Sequence, residues 1–173
     1  MVENPLRDQT QITPYIQQIT DTFTSKNPLP LMFEIISYLD RNLLYQQDNK
    51  TEVFRNRTAE QILKDGYATG CSDRALAFLV LVRALEFTAD YAEFLDMKWL
   101  NSNDDQPTGH VVANVTIQGA TYFVDPIRGT ISRKTPSRMV LYNMGKDSWD
   151  IGISKENYKE QFHTFREKYK TGL

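Results

Sequence analysis

DGYATGCSDRALAFLVLVRAL, residues 65–85, holds the only cysteine of the chain, and Cys71 opens one of its most apolar runs. Cys71, Ala75, Phe78, Val82 and Leu85 fall on one helical stripe, while Leu76, Leu79, Val80 and Leu81 fill the others. A helix apolar nearly all round is a central, buried one. The thiol stands at its first turn, where backbone amides are unpaired and the helix dipole puts partial positive charge. A thiolate is favoured at such a point, though the dipole alone supplies only about 1 kcal/mol, so a second partner is needed. With a histidinium added, such thiols titrate at roughly 4–7 instead of about 8.5. Gly70, without a side chain, lets the backbone turn tightly and a substrate come close. Buried free cysteines are common, so Cys71 alone does not separate a small apolar residue from a reactive one.

Before this helix the sequence reads as helical over roughly the first 45 residues. Thr13 is placed to cap, Pro14 suits a first helical position, and Ile16, Ile19 and Phe23 have helical spacing. NPLP at 27–30 breaks that helix, and Met32, Ile35, Ile36, Leu39 and Leu43 mark a second. TAEQILKDG (58–66) is a short helix with a Thr58–Gln61 capping box and Gly66 as its stop. After Glu86 the pattern turns extended: DYAEFLDMKWL (90–100), then a polar loop, NSNDDQPTG (101–109). HVVANVTI (110–117) and TYFVD (121–125) are strands of a hairpin joined through Gln118, Gly119 and Ala120. A last helix, capped by Ser154, turns Tyr158, Phe162, Phe165 and Tyr169 inward. Helices first and antiparallel strands later give an α+β class with helices on one side of the sheet.

The chain has 173 residues, 40% apolar and 24% charged, with net charge −2, which suits one globular domain spanning 1–173. No basic block points to nucleic acid or an anionic membrane. MVENPLRDQTQITPYIQQ lacks an apolar core of signal-peptide length, and no segment is long enough to span a bilayer. One cysteine and two histidines make a poor metal set, so no metal and no cofactor are expected, and a cytoplasmic setting suits the unpaired thiol. Nothing in the residues sets an oligomeric state.

His110 starts the first hairpin strand and Asp125 ends the second. With a two-residue turn they share a face; a Gln118-Gly119 turn leaves them two positions from direct opposition, within reach of a hydrogen bond. A three-residue loop would put them on opposite faces. Together the three supply what thiol catalysis needs: Cys71 attacks an acyl carbon, His110 takes and returns its proton, and Asp125 orients the imidazole. Taken singly, Asp125 is also an Asp-Pro turn residue and His110 a strand-end residue.

TGCSDRALAFLVLVRAL and GHVVANVTIQGATYFVDP resemble the cysteine-helix, histidine-strand and Asp-Pro motifs of the transglutaminase-like superfamily, over roughly residues 56–131. The resemblance implies a papain-like core, with N-terminal helices and the cysteine helix packed on an antiparallel sheet and a C-terminal helix. It also implies a catalytic set of Cys71, His110 and Asp125 working through a thioester on a peptide or protein substrate. Val112 replaces an aromatic residue frequent two places after the histidine, and Glu86 replaces a glycine frequent at the helix end, which implies a different exit. Asp104 and Asp105 alone make no calcium site.

For the oxyanion, the Cys71 backbone amide is one donor and the Tyr67 hydroxyl a candidate second. Gly70, Trp99 and Gly109 are candidate lining of a substrate groove, which the 101–109 loop borders; Trp99 reads more readily as a core or rim aromatic. Asp73 reads as a cap or the partner of a basic residue, and His163 as a solvent-facing residue. Two functions compete: a cysteine-dependent acyl-transfer enzyme acting on an amide or peptide bond, and an inactive relative that binds a protein partner. A redox-sensing thiol is a weaker third, since no resolving cysteine exists.

Overall fold

The computed structural model describes residues 8–172; Met1–Arg7, the first part of the stretch read above for a leader, lie outside the described residues. The chain runs α1 (Pro14–Thr20), α2 (Pro28–Asn42), β1 (Leu44–Tyr45), α3 (Lys50–Val53), α4 (Ala59–Asp65), β2 (Tyr67–Ala68) and α5 (Cys71–Ala84). Then follow β3 (Ala89–Asp96), α6 (Met97–Leu100), β4 (Gly109–Ile117), β5 (Ala120–Asp125), β6 (Thr130–Ser132), β7 (Met139–Gly145) and α7 (Tyr158–Lys170). Five strands form one antiparallel sheet in the order β6-β5-β4-β3-β7, and β1 and β2 make a short parallel pair. The class is α+β, as the sequence order implies. Among the described residues no helix is long and apolar enough to cross a membrane.

α5 is the axis of the fold. Ser72 through Val82 are all buried, because the helix is apolar on every side. It packs against Val111, Ala113, Val115 and Ile117 of β4 on one side and residues of α1, α2 and α4 on the other. Strand alternation turns the other face of β3 and β4 away from α5, where Ala92, Phe94 and Val112 form a small separate cluster. The inward face of α7 is as read from its spacing: Tyr158, Phe162, Phe165 and Tyr169 all pack on the main core.

Several boundaries differ from the sequence reading. α1 stops at Thr20, and Phe23 reaches the core from the following loop. NPLP does more than break a helix: Asn27 is the N-cap and Pro28 the first residue of α2. Residues 97–100 are helical, since the Asp96 carboxylate accepts from the Lys98 amide at 2.6 Å and caps a single turn. The N-cap of α7 is Asn157, not Ser154, whose carbonyl instead closes a preceding turn onto the Tyr158 amide. β6 and β7 were hidden in the sequence; a register shift opposite Glu93 and Phe94 breaks the alternation of β7.

The exit of α5 is also corrected. Glu86 adopts the left-handed conformation (φ +67°) that a glycine would. The Phe87 amide reaches back to the Val82 carbonyl at 3.1 Å and the Glu86 amide to Arg83 at 2.9 Å. That is a Schellman ending, so the change of residue leaves the exit geometry standing. Removing the Cβ from a left-handed position relieves about 1 kcal/mol. Glu86→Gly is therefore expected to raise stability by about 1 kcal/mol in urea unfolding; a loss of stability would contradict this reading of the cap.

Candidate active site

The β4–β5 turn is the two-residue Gln118-Gly119 turn, with φ +50° and +77°, and Ile117 pairs with Ala120. That register places His110 and Asp125 on one face, two positions from direct opposition. The carboxylate then reaches the ring: His110 Nε2 and Asp125 Oδ2 are 2.6 Å apart, both residues buried. The other carboxylate oxygen accepts from the amides of Ile127 and Arg128, each at 3.0 Å, which fixes its direction. The Asp-Pro turn and the carboxylate's grip on the ring thus coexist in one residue.

With Nε2 held by Asp125, Nδ1 is the ring nitrogen left to face the sulfur. Burial disfavours the imidazolium, but the hydrogen bond to Asp125 and the hydrogen bond and charge of Cys71 outweigh it, and His110 is raised to about 9. Burial likewise opposes the Asp125 carboxylate, yet the hydrogen bonds from His110 and the two amides hold it below the ordinary range. His110 thus stabilises the fold fully below its ordinary pKa of about 6.5, and that contribution is lost as pH rises through about 9. The Asp125 contribution is present above about 3.9 and is lost as pH falls through the lowered value. Only two histidines exist, so proton NMR with a His163→Gln variant for assignment reads His110 directly. The expected midpoint is about 9, falling in Asp125→Asn. A wild-type midpoint near 6.5 would contradict the pairing.

Cys71 is partly buried at the start of α5, its ordinary place for a thiol that must meet both solvent and a helix terminus. The loop before it is held by Asp73, whose Oδ2 accepts from Arg57 Nη2 (2.7 Å), the Thr69 amide (2.8 Å) and the Thr69 hydroxyl (2.9 Å). Of the two readings of Asp73, the pairing with a basic residue holds; the amide it accepts from is that of Thr69, ahead of the helix, so it caps no first-turn amide. Arg57 also bonds Asp65 and the Tyr67 carbonyl and stacks on the Tyr67 ring at 4.2 Å. On the core side, Arg55 makes a two-pronged pair with Glu93, 2.8 Å at each nitrogen, and Tyr91 bonds both. The charge of Cys71 is felt at both Arg55 and Tyr91, so the buried pair lies near the sulfur. Arg55, Arg57 and Glu93 were missed in the sequence. Glu93, an acid between Ala92 and Phe94 at the middle of a strand, was the available signal.

The remaining candidates separate. Tyr67 is partly buried on β2, and its hydroxyl accepts from Asn49 Nδ2. Gly70 is extended (φ 172°), so no tight turn explains it; a Cβ there would meet nothing within 4 Å, which leaves open space beside the sulfur. Gly109 serves the sheet: a Cβ would come within 2.5 Å of the Phe94 carbonyl oxygen. Trp99 is only 3% exposed and its indole nitrogen donates to the Asp104 carbonyl at 3.0 Å, so it anchors the 101–109 loop. His163 is not solvent-facing but joins that anchor, edge-on to Trp99 and bonded to Arg166 and the Asp105 carbonyl. The loop beside His110 is therefore pinned through α7.

No family model matches the chain, and no curated protein matches it. Among solved structures, a chain from Cytophaga hutchinsonii proposed to be a cysteine protease aligns with 83% of this one, with TM-score 0.64 and 21% identity. Legionella pneumophila LapG in its calcium-bound form aligns over 76% of this chain and 82% of its own, with TM-score 0.52 and 12% identity. The fold is papain-like. This agrees with the architecture implied by the resemblance in the cysteine-helix and hairpin motifs. The chain spans 45% of the length of the Cytophaga chain.

Proposed function

We propose that residues 1–173 form a single transglutaminase-like domain acting as a cysteine-dependent acyl-transfer enzyme on an amide or peptide bond. The observation that carries this is the 2.6 Å His110–Asp125 bond, on a ring whose other partner is a thiol at a helix start. Cys71 attacks the carbonyl carbon, and its proton passes to His110. His110 then protonates the departing amine, leaving a thioester on Cys71. Water or a second amine, deprotonated by His110, releases the acyl group and restores the thiol. Asp125 keeps Nε2 protonated and balances the imidazolium. The Cys71 amide, at the first turn of α5, is the first oxyanion donor, and the Tyr67 hydroxyl a second. Peptides or proteins are the substrates this chemistry suits, and a reducing, cytoplasmic compartment suits the unpaired thiol.

Trapping tests the reading. Incubation with a peptide library bearing mild electrophiles, followed by mass mapping, is expected to place the adduct on Cys71 in wild type and not in His110→Ala. An adduct independent of His110, or none together with unimpaired partner binding by Cys71→Ala, would favour the inactive binding module instead.

A further inference from the structure

Beside Asp125, on the sheet face turned away from α5, lies a groove of about 340 Å³. Val112 and Phe123 line it, and Phe94 packs edge-on to Phe123 at 5.9 Å, giving an apolar floor. Arg128 and Lys134 also line it, as do hydroxyls such as that of Thr135. Arg128 has its side chain 60% exposed and makes a long contact, 3.7 Å, to Asp125, whose charge His110 already balances. Lys134 is exposed. From Pro126 to Lys146 the chain carries five cations and no acid, in a protein of net charge −2. Of these five, Arg128 and Lys134 line the groove, while Lys146 pairs with Asp8 elsewhere; the wall thus carries two cations beside Asp125, which His110 balances.

We propose that this groove binds an acidic stretch of the peptide substrate, with Arg128 and Lys134 pairing its carboxylates and the half-buried Phe123 carrying its apolar stems. This deepens the acyl-transfer reading and rests on it, because the groove ends on the carboxylate that holds His110. An extended peptide bound there has its next residues beside the imidazole. The specificity is for Asp- and Glu-containing segments, with neutral or basic ones disfavoured by the two exposed cations.

Binding tests this apart from chemistry. Fluorescein-labelled dodecapeptides alternating Glu, Gln or Lys with Ala are titrated against full-length Cys71→Ala by fluorescence anisotropy at low salt. Two exposed ion pairs predict about tenfold tighter binding of the Glu peptide than of the Gln peptide. Arg128→Glu/Lys134→Glu is expected to abolish that preference, Lys134→Glu alone to lower it about threefold, and Lys159→Glu on α7 to leave it unchanged. Circular dichroism confirms that each variant is folded. Equal binding of Glu and Gln peptides, or a preference that survives the double reversal, would overturn the proposal. So would a single-stranded oligonucleotide that competes more strongly than the Glu peptide through the same residues. His110-dependent labelling of wild-type Cys71 by iodoacetamide is read separately, so failure of the catalytic reading and failure of the groove are told apart.

Discussion

Glu93→Leu is expected to cost about 3–5 kcal/mol of stability, because it leaves the Arg55 guanidinium buried without its counter-charge. Arg55 is 4% exposed and Glu93 1%, so neither is within reach of bulk water. Two hydrogen bonds of 2.8 Å and the Tyr91 hydroxyl satisfy Glu93, and burial with these neighbours holds the tyrosine proton well above its usual pKa. Bringing two charges inside costs several kcal/mol per ion, which the attraction between them offsets only while both remain. Arg55→Met/Glu93→Leu is accordingly expected to recover most of the loss, despite changing twice as many residues. Urea unfolding of the two variants and wild type checks this. A Glu93→Leu cost below about 1 kcal/mol would show that water reaches Arg55.

The elements that carried their own local signals were legible in the sequence. The Thr58–Gln61 capping box is present in both directions, with Gly66 left-handed behind it (φ 72°). The hairpin was legible but its register was not: a three-residue loop was as open as a two-residue turn, and only the observed Gln118-Gly119 turn puts His110 and Asp125 on one face. α5 could be recognised because nothing but a central helix buries apolar residues all round. What stayed hidden depends on partners far away in the chain. Arg55 meets Glu93 across 38 positions, and neither neighbourhood announces the other. Arg57 and Asp73 are closer, but their pairing needs the loop at 67–70 to fold back over both. Trp99 and His163 join only because α7 returns to the 101–109 loop. Gly70 and Gly109 were given the same role, yet one faces open space and the other a carbonyl oxygen, a difference in surroundings that sequence does not contain.

The largest functional effect is expected at Cys71 when His110 is removed. Only a thiolate attacks, and an ordinary thiol of pKa about 8.5 is about 0.3% ionised at pH 6. A thiolate paired with an imidazolium is ionised there, a gain of about 300-fold in the reactive form. Lower basicity weakens each thiolate, with a Brønsted slope of about 0.4–0.5, which divides that gain by about 10 to 30. The net advantage left is about 10- to 30-fold. The chain has one cysteine, so the rate of its alkylation reports on this group alone. The most direct measurement is therefore the iodoacetamide rate of wild type and His110→Ala from about pH 5 to 10. Wild type is expected to react at least tenfold faster than His110→Ala at pH 6. Two superimposed curves, both rising only near pH 8.5, would mean that sulfur and imidazole do not act together.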